Sequence, residues 1–204
     1  SRDIEPAKVG HRDNYYWHMI ANVRRFKGAP PLPAASPPTT IEIGGSFVQW
    51  DAVRPEFRDH VGETEPRDHD GAAGLHYSDR SGRNDLLDCK VARDKETVFF
   101  YLRTRAAIIP ADTLDGLWLL IDADQDPKTG WEGFDYIVNR MPIQEGKLSL
   151  ERNAGGWNWK SETRLTCRAE GNELHLAVPR IALGLSSGKD PLSLDFKWID
   201  NARK

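Results

Sequence analysis

Residues Gly116 to Arg140, GLWLLIDADQDPKTGWEGFDYIVNR, constrain this chain more than any other stretch. The apolar run Leu117 to Ile121 has the length and hydrophobicity of a strand buried on both faces. It breaks at Asp122-x-Asp124-x-Asp126, three carboxylates two residues apart, which cannot enter a packed core without a cation or several hydrogen-bond donors. Pro127 and the Thr129-Gly130 pair turn the chain, and Phe134 to Asn139 reads as a second strand. The unit is strand, acidic loop, strand.

From Ile41 onward the same grammar continues, with short runs closed by clusters of Gly, Asp, Asn and Pro. Ile41 to Phe47 and Val48 to Val53 are expected as an opening strand with a corner at Trp50-Asp51. Leu86 to Ala92 and Thr97 to Thr104 alternate as a hairpin turned at Arg93 to Glu96. Lys147 to Arg152, Lys160 to Ala169, Glu173 to Pro179 and Leu192 to Ile199 complete the series. Roughly nine to eleven short strands without βαβ alternation point to an all-β fold, an antiparallel β-sandwich of the jelly-roll or immunoglobulin-like kind. Residues 54 to 85 differ: they are polar and carry His60, His69 and His76 among Asp59, Asp68, Asp70 and Asp79. A loop of that length is more often functional or metal-tied than idle, although these spacings match no transition-metal pattern. The plainer reading is a solvated loop pinned by ion pairs from Arg58 or Arg67.

Ahead of the β region, Tyr16, Ile20, Val23 and Phe26 fall near helical spacing and stop at Gly28, giving one N-terminal helix. Tyr15, Tyr16 and Trp17 there suit either a ligand platform or a packing stripe. Residues 29 to 40, APPLPAASPPTT, read as an extended proline-rich linker. The expected division is therefore 1–28 as a helical segment, 29–40 as linker and 41–204 as the β domain, a size that suits one core. The net charge of −3, with both signs dispersed, gives no electrostatic footprint for nucleic acid or an anionic membrane. No apolar stretch approaches the roughly 18 to 20 residues of a membrane helix. Cys89 and Cys167 are too few for a zinc site and suit one disulfide or two separately buried thiols. The chain opens at Ser1, and we expect a piece of a longer protein, so missing targeting information carries little weight.

Several blocks in order carry a resemblance: WDAVRPEFRDH from Trp50, GRND from Gly82, the acidic-loop block, LHLAVPRIALGL from Leu174, and DFKWIDN from Asp195. Together they resemble the carbohydrate-binding module family 9-like domains, related to the DOMON superfamily, from Ile41 to the end. The NYYWHMIANVRRFKG segment looks like the tail of a glycosidase-like domain preceding such modules in secreted proteins. The resemblance implies a β-sandwich, bound calcium, and sugar recognition by aromatic side chains in an extracellular or periplasmic setting, with no catalysis in this domain.

Calcium takes six to eight hard oxygen ligands, and Asp122, Asp124 and Asp126 suit it. The pattern is not an EF-hand, since Pro127 and Gly133 stand where that motif needs Gly and Glu. The resemblance implies closure by a carboxylate beyond the turn, for which Asp135 is the candidate and Glu132 the reserve; a metal-free acidic turn is the alternative. Sugar binding needs a flat apolar surface and a few planar polar groups. Trp131, Trp157 and Trp159 are the candidate rings, equally suited to packing, and Asn139 and Arg140 the candidate polar partners. Trp118 and Trp198 are expected in the core.

A glycosidase needs two carboxylates facing across a cleft, and nothing sets such a pair apart here; no nucleophile elbow or HExxH occurs either. A haem-binding DOMON-like site would have to draw on Met19 or Met141. The principal competitor is a structural accessory domain that packs on a neighbouring domain of the same protein without binding sugar.

Overall fold

A computed structural model of the chain describes residues 14–28, 34–59, 67–70, 76–79, 83–109, 114, 116–188 and 191–200. Helix α1 covers Asn14–Phe26, and Phe26 at its end is 93% exposed. The strands are β1 Glu56–Arg58, β2 Arg67–Asp70, β3 His76–Asp79, β4 Leu86–Arg93, β5 Thr97–Thr104 and β6 Trp118–Asp122. They continue as β7 Tyr136–Val138, β8 Lys147–Asn153, β9 Trp159–Glu170, β10 Glu173–Pro179 and β11 Asp195–Ile199. Nine of them form one sheet in the order β1-β4-β5-β10-β9-β8-β7-β6-β11, and β2 and β3 form a separate hairpin. Every pairing is antiparallel. The all-β expectation therefore holds.

Local chemistry explains the regular parts. The β4–β5 turn is an Asx turn, in which Asp94 Oδ1 accepts the backbone N–H groups of Glu96 and Thr97 at 2.9 and 2.8 Å. Strand β9 is long enough to serve two neighbours: Trp159 to Thr166 pairs with β8, and Cys167 to Glu170 with β10. A register shift opposite Leu150 and Glu151 adds the local twist that such a bend needs. The sheet curls until its ends meet, with Phe196 of β11 packing edge-on against Phe57 of β1 and Phe100 of β5.

Alternation sorts the side chains into an inner and an outer face. The inner face holds the main core, including Phe100 and Leu102 of β5, Leu119 and Ile121 of β6, Leu148 and Leu150 of β8, and Leu174 and Leu176 of β10. The outer face carries two separate aromatic clusters. One, over β4, β5 and β10, gathers Ile41, Trp50, Val53, Phe99 and Tyr101. The other, over β6 and β7, gathers Trp118, Leu120 and Ile137 with Trp131, Phe134, Trp157 and Trp159 packed on them.

The opening strand expected over residues 41 to 53 does not form. Gly44 and Gly45 begin a turn, Ser46 caps a 3-10 turn at Phe47–Trp50, and Gln49 folds back onto both the N–H and the carbonyl of Glu42. The segment lies across the sheet as a cover. The described part of the expected linker is tied down as well: Thr39 N–H donates to the Arg93 carbonyl at 2.7 Å, and Ser36 N–H to that of Arg54 at 2.9 Å.

Candidate functional site

The acidic corner stands where β6 ends. Asp122 is the last residue of a strand buried along its whole length, and it is 1% exposed itself. Its Oδ1 accepts the Gln125 N–H at 2.7 Å. Asp124 and Asp126 point to solvent instead of entering the core. Asp124 accepts from the Asp126 N–H at 2.8 Å and from Thr129 Oγ1 at 3.0 Å, and Asp126 accepts from the Lys128 N–H at 3.0 Å. Asp135 reaches back from the far side of the loop to accept the Ala123 N–H at 2.9 Å.

Three of these carboxylates converge. One oxygen each from Asp122, Asp124 and Asp135 lie within 4.8 Å of one another, the only such group of metal-binding side chains among the described residues. Asp126 is not part of it, and Glu132 is an exposed residue of the turn. Burial raises the Asp135 carboxyl above its ordinary value, and the neighbouring Asp124 and Asp122 charges push it further. The donor set is hard oxygen, which fits calcium, and it supplies three of the six to eight ligands that ion takes. The loop's own hydrogen bonds brace the turn as well, so the acids do not by themselves demand an ion.

The corner is also a positioning device. Gly130 has φ +66°, and a Cβ there would stand 2.1 Å from the Phe134 carbonyl oxygen, so only glycine lets the loop close this tightly. The closure pairs Trp131 with Phe134, their reciprocal N–H to carbonyl bonds measuring 2.8 and 2.9 Å, and sets the Trp131 ring beside Trp157. Trp157 is the centre of the cluster. Its ring centroid lies 4.6 Å from Trp131 and 5.5 Å from Trp159, with interplanar angles of 74° and 89°, and 6.0 Å from Trp118 beneath. Two asparagines hold its turn: Asn153 bonds the Gly155 N–H and the Gly156 carbonyl, and Asn158 bonds the Gly155 carbonyl. The rings of Trp131, Trp157 and Trp159 are only half-buried, and Trp159 Nε1 is a buried donor without an acceptor among the described residues.

The two polar partners expected from sequence divide. Arg140 does lie on this face, but as half of an ion pair: its Nε and a terminal nitrogen donate to the two oxygens of Glu151 at 2.6 and 2.9 Å. Glu151 is 3% exposed and opposite Ile137, a floor residue of the aromatic cluster. Asn139 corrects the expectation. It is buried, adopts φ 66°, and donates its amide to the Leu114 and Leu117 carbonyls at 2.8 and 2.9 Å, so it terminates β7 instead of meeting a ligand. Glu151 itself was missed, because an acid in the run KLSLERN reads as solvent-facing.

Of the remaining candidates, Trp118 is buried as expected and Trp198 packs half-buried against the main core. Cys89 and Cys167 are free thiols, and burial pushes the first up to about 12. His76 sits between Asp70, 2.9 Å from Nδ1, and Asp68, 3.0 Å from Nε2; of the two arginines expected to pin the loop, Arg58 pairs with Glu56 at 2.7 Å and the Arg67 side chain lies outside the described residues. His60 and the side chains of Tyr15, Tyr16, Trp17 and His69 lie outside the described residues. No protein-family model, curated protein or solved structure matches the chain.

Proposed function

We propose that this chain is a non-catalytic carbohydrate-binding module on a calcium-stabilised β-sandwich, of the family 9-like, DOMON-related kind, acting outside the cytoplasm. The single observation that carries the reading is the half-exposed set of Trp131, Trp157 and Trp159 on the outer face of β6 to β9. Indole faces match the C–H faces of pyranose rings, and a few planar polar groups beside them pair with hydroxyls. The three rings stand edge to face and stay only partly buried, and that remaining surface is what a sugar ring would meet. The Arg140–Glu151 pair supplies donor and acceptor groups one register step away.

Asp122, Asp124 and Asp135 would hold calcium, which supplies the positive charge that lets three converging carboxylates stay ionised. The loop they anchor carries Trp131. Few carboxylates and an exposed Asp124 fit the weak, roughly 10⁻⁴ to 10⁻³ M affinities of extracellular calcium modules.

Isothermal titration against a panel of oligosaccharides tests the sugar. We expect binding that Trp157→Ala weakens at least tenfold, about 1.4 kcal/mol. A panel without any binder, together with docking onto a neighbouring domain through the same face, would instead support the structural accessory domain.

A further inference from the structure

We propose that His175 is an acid-sensitive latch that holds the segment from Ile41 to Val53 over the outer face of β4, β5 and β10. The geometry is specific. His175 is wholly buried, its Nδ1 lies 3.1 Å from Trp50 Nε1, and its Nε2 lies 2.8 Å from the Ile43 carbonyl oxygen. An indole nitrogen can only donate and a carbonyl can only accept. Both bonds therefore form only in the neutral imidazole with its proton on Nε2. One histidine in the sheet thus grips the covering segment at two points, seven residues apart, and Phe47 lies against its ring at 4.4 Å between centroids.

A second proton would have to sit on Nδ1, facing the Trp50 N–H. It would replace a hydrogen bond by two opposed donors and leave an imidazolium in a closed site. The charges around that site do not offset this. Arg168, the register partner on β9, extends over Phe47 and donates to the Gly44 and Gly45 carbonyls, so a fixed positive charge stands beside the site. Tyr101, the partner on β5, directs its hydroxyl to Glu173 at 2.6 Å; beyond it on β4, Lys90 donates to the Trp50 carbonyl and pairs with Glu56 at 3.3 Å. Glu170 pairs with Arg168, and the covering segment's own acids, Glu42 and Asp51, are exposed. Burial is the largest cause and holds the imidazole below its ordinary value; the Ile43 carbonyl pulls the other way, Arg168 adds to the lowering, and Glu173 opposes it.

The sign follows. The closed segment binds the second proton less well than the open one, so closure is complete above the ordinary histidine value of about 6.5. Below it, closure weakens by up to about tenfold per pH unit until the closed-state value is reached.

Hydrogen exchange of the whole chain, corrected for the intrinsic pH dependence of exchange, tests this. Between pH 7 and pH 5, amides of residues 41 to 53 should lose protection at least tenfold, while those of β6 to β8 keep theirs. His175→Gln, which retains one acceptor and one donor but no titratable group, should abolish the difference. Imidazole nitrogen resonances of the unsubstituted protein give a second readout: the Nδ1 of His175 should gain its proton over the same pH range in which the segment opens. The proposal is overturned if protection over 41 to 53 is flat with pH, if it falls equally in the glutamine variant, or if His175 gains a proton with the segment still closed.

Discussion

The two halves of the outer face meet the same problem in opposite ways. Over β4, β5 and β10, Trp50 is 1% exposed, stacks on Tyr101 at 5.2 Å, and has its indole N–H bonded to His175. Over β6 to β9, three tryptophans crowd around Trp118, stay half-exposed, and leave Trp159 Nε1 without an acceptor among the described residues. One cluster is closed until its tryptophan is 1% exposed, whereas the other buries Trp118 beneath Trp131, Trp157 and Trp159 and leaves those three only partly buried. The partly exposed indole surface beside the Arg140–Glu151 pair is what the proposed sugar site draws on. Identical residue types therefore take on different roles according to what lies on top of them.

The largest effect should separate the clusters directly. Trp50→Ala empties a sealed site and should destabilise the fold by about 3 to 5 kcal/mol in urea unfolding. Trp157→Ala removes a half-exposed ring and should destabilise it by about 1 to 2 kcal/mol, its main consequence falling on sugar binding. Equal losses of stability would erase the distinction.

Next comes the ion pair. Arg140→Ala leaves the Glu151 carboxylate, 3% exposed, without its cation, and we expect a loss of about 3 kcal/mol. The double variant Arg140→Met, Glu151→Leu should recover most of that stability and none of the sugar binding. If the single variant is neutral, the pair lies open to water and its carboxylate is not held in a desolvated site.

The covering segment and the ion pair mark where sequence reasoning stopped. The hairpin from Leu86 to Thr104 was legible because alternation and a charged tetrad at Arg93 to Glu96 agree with each other. The acidic loop was legible too, since three acids directly after an apolar strand must leave the core at once; the structure buries only Asp122, and of the four expected carboxylates it brings Asp122, Asp124 and Asp135 together and leaves Asp126 outside. In residues 41 to 53 the apolar spacing imitates a strand, and the Gly44-Gly45-Ser46 turn outweighs it. Leu117 to Ile121 is apolar on both faces, so nothing in it told which face would meet the core and which would carry tryptophans. Asn139, an asparagine at a strand end, carries the residue-type signal of a left-handed terminator, which its φ of 66° bears out.

The last effects concern the acidic corner. Asp135 is raised by burial and by Asp124 and Asp122, so in the absence of metal its favourable contribution exists below the ordinary carboxyl value of about 3.9 and is lost as pH rises through the raised one. Asp135→Asn in chelator at pH 7 should therefore stabilise the protein, read as a small rise in Tm. Calcium at a hundred times its Kd should stabilise the unsubstituted protein by about 2.7 kcal/mol and the variant hardly at all. An unchanged Tm in the unsubstituted protein on adding calcium to about 100 mM, a hundred times the weaker Kd, would exclude the ion from this corner and leave a hydrogen-bonded turn.

The central claim is that the open tryptophan cluster, and not the covered one, receives carbohydrate. Indole N–H resonances of the isotopically labelled chain, followed during titration with an oligosaccharide panel, test it most directly. Saturable shifts at Trp131, Trp157 and Trp159 with Trp50 unmoved are the expected result. Indoles that respond to no sugar in the panel, or a response confined to Trp50, would contradict it.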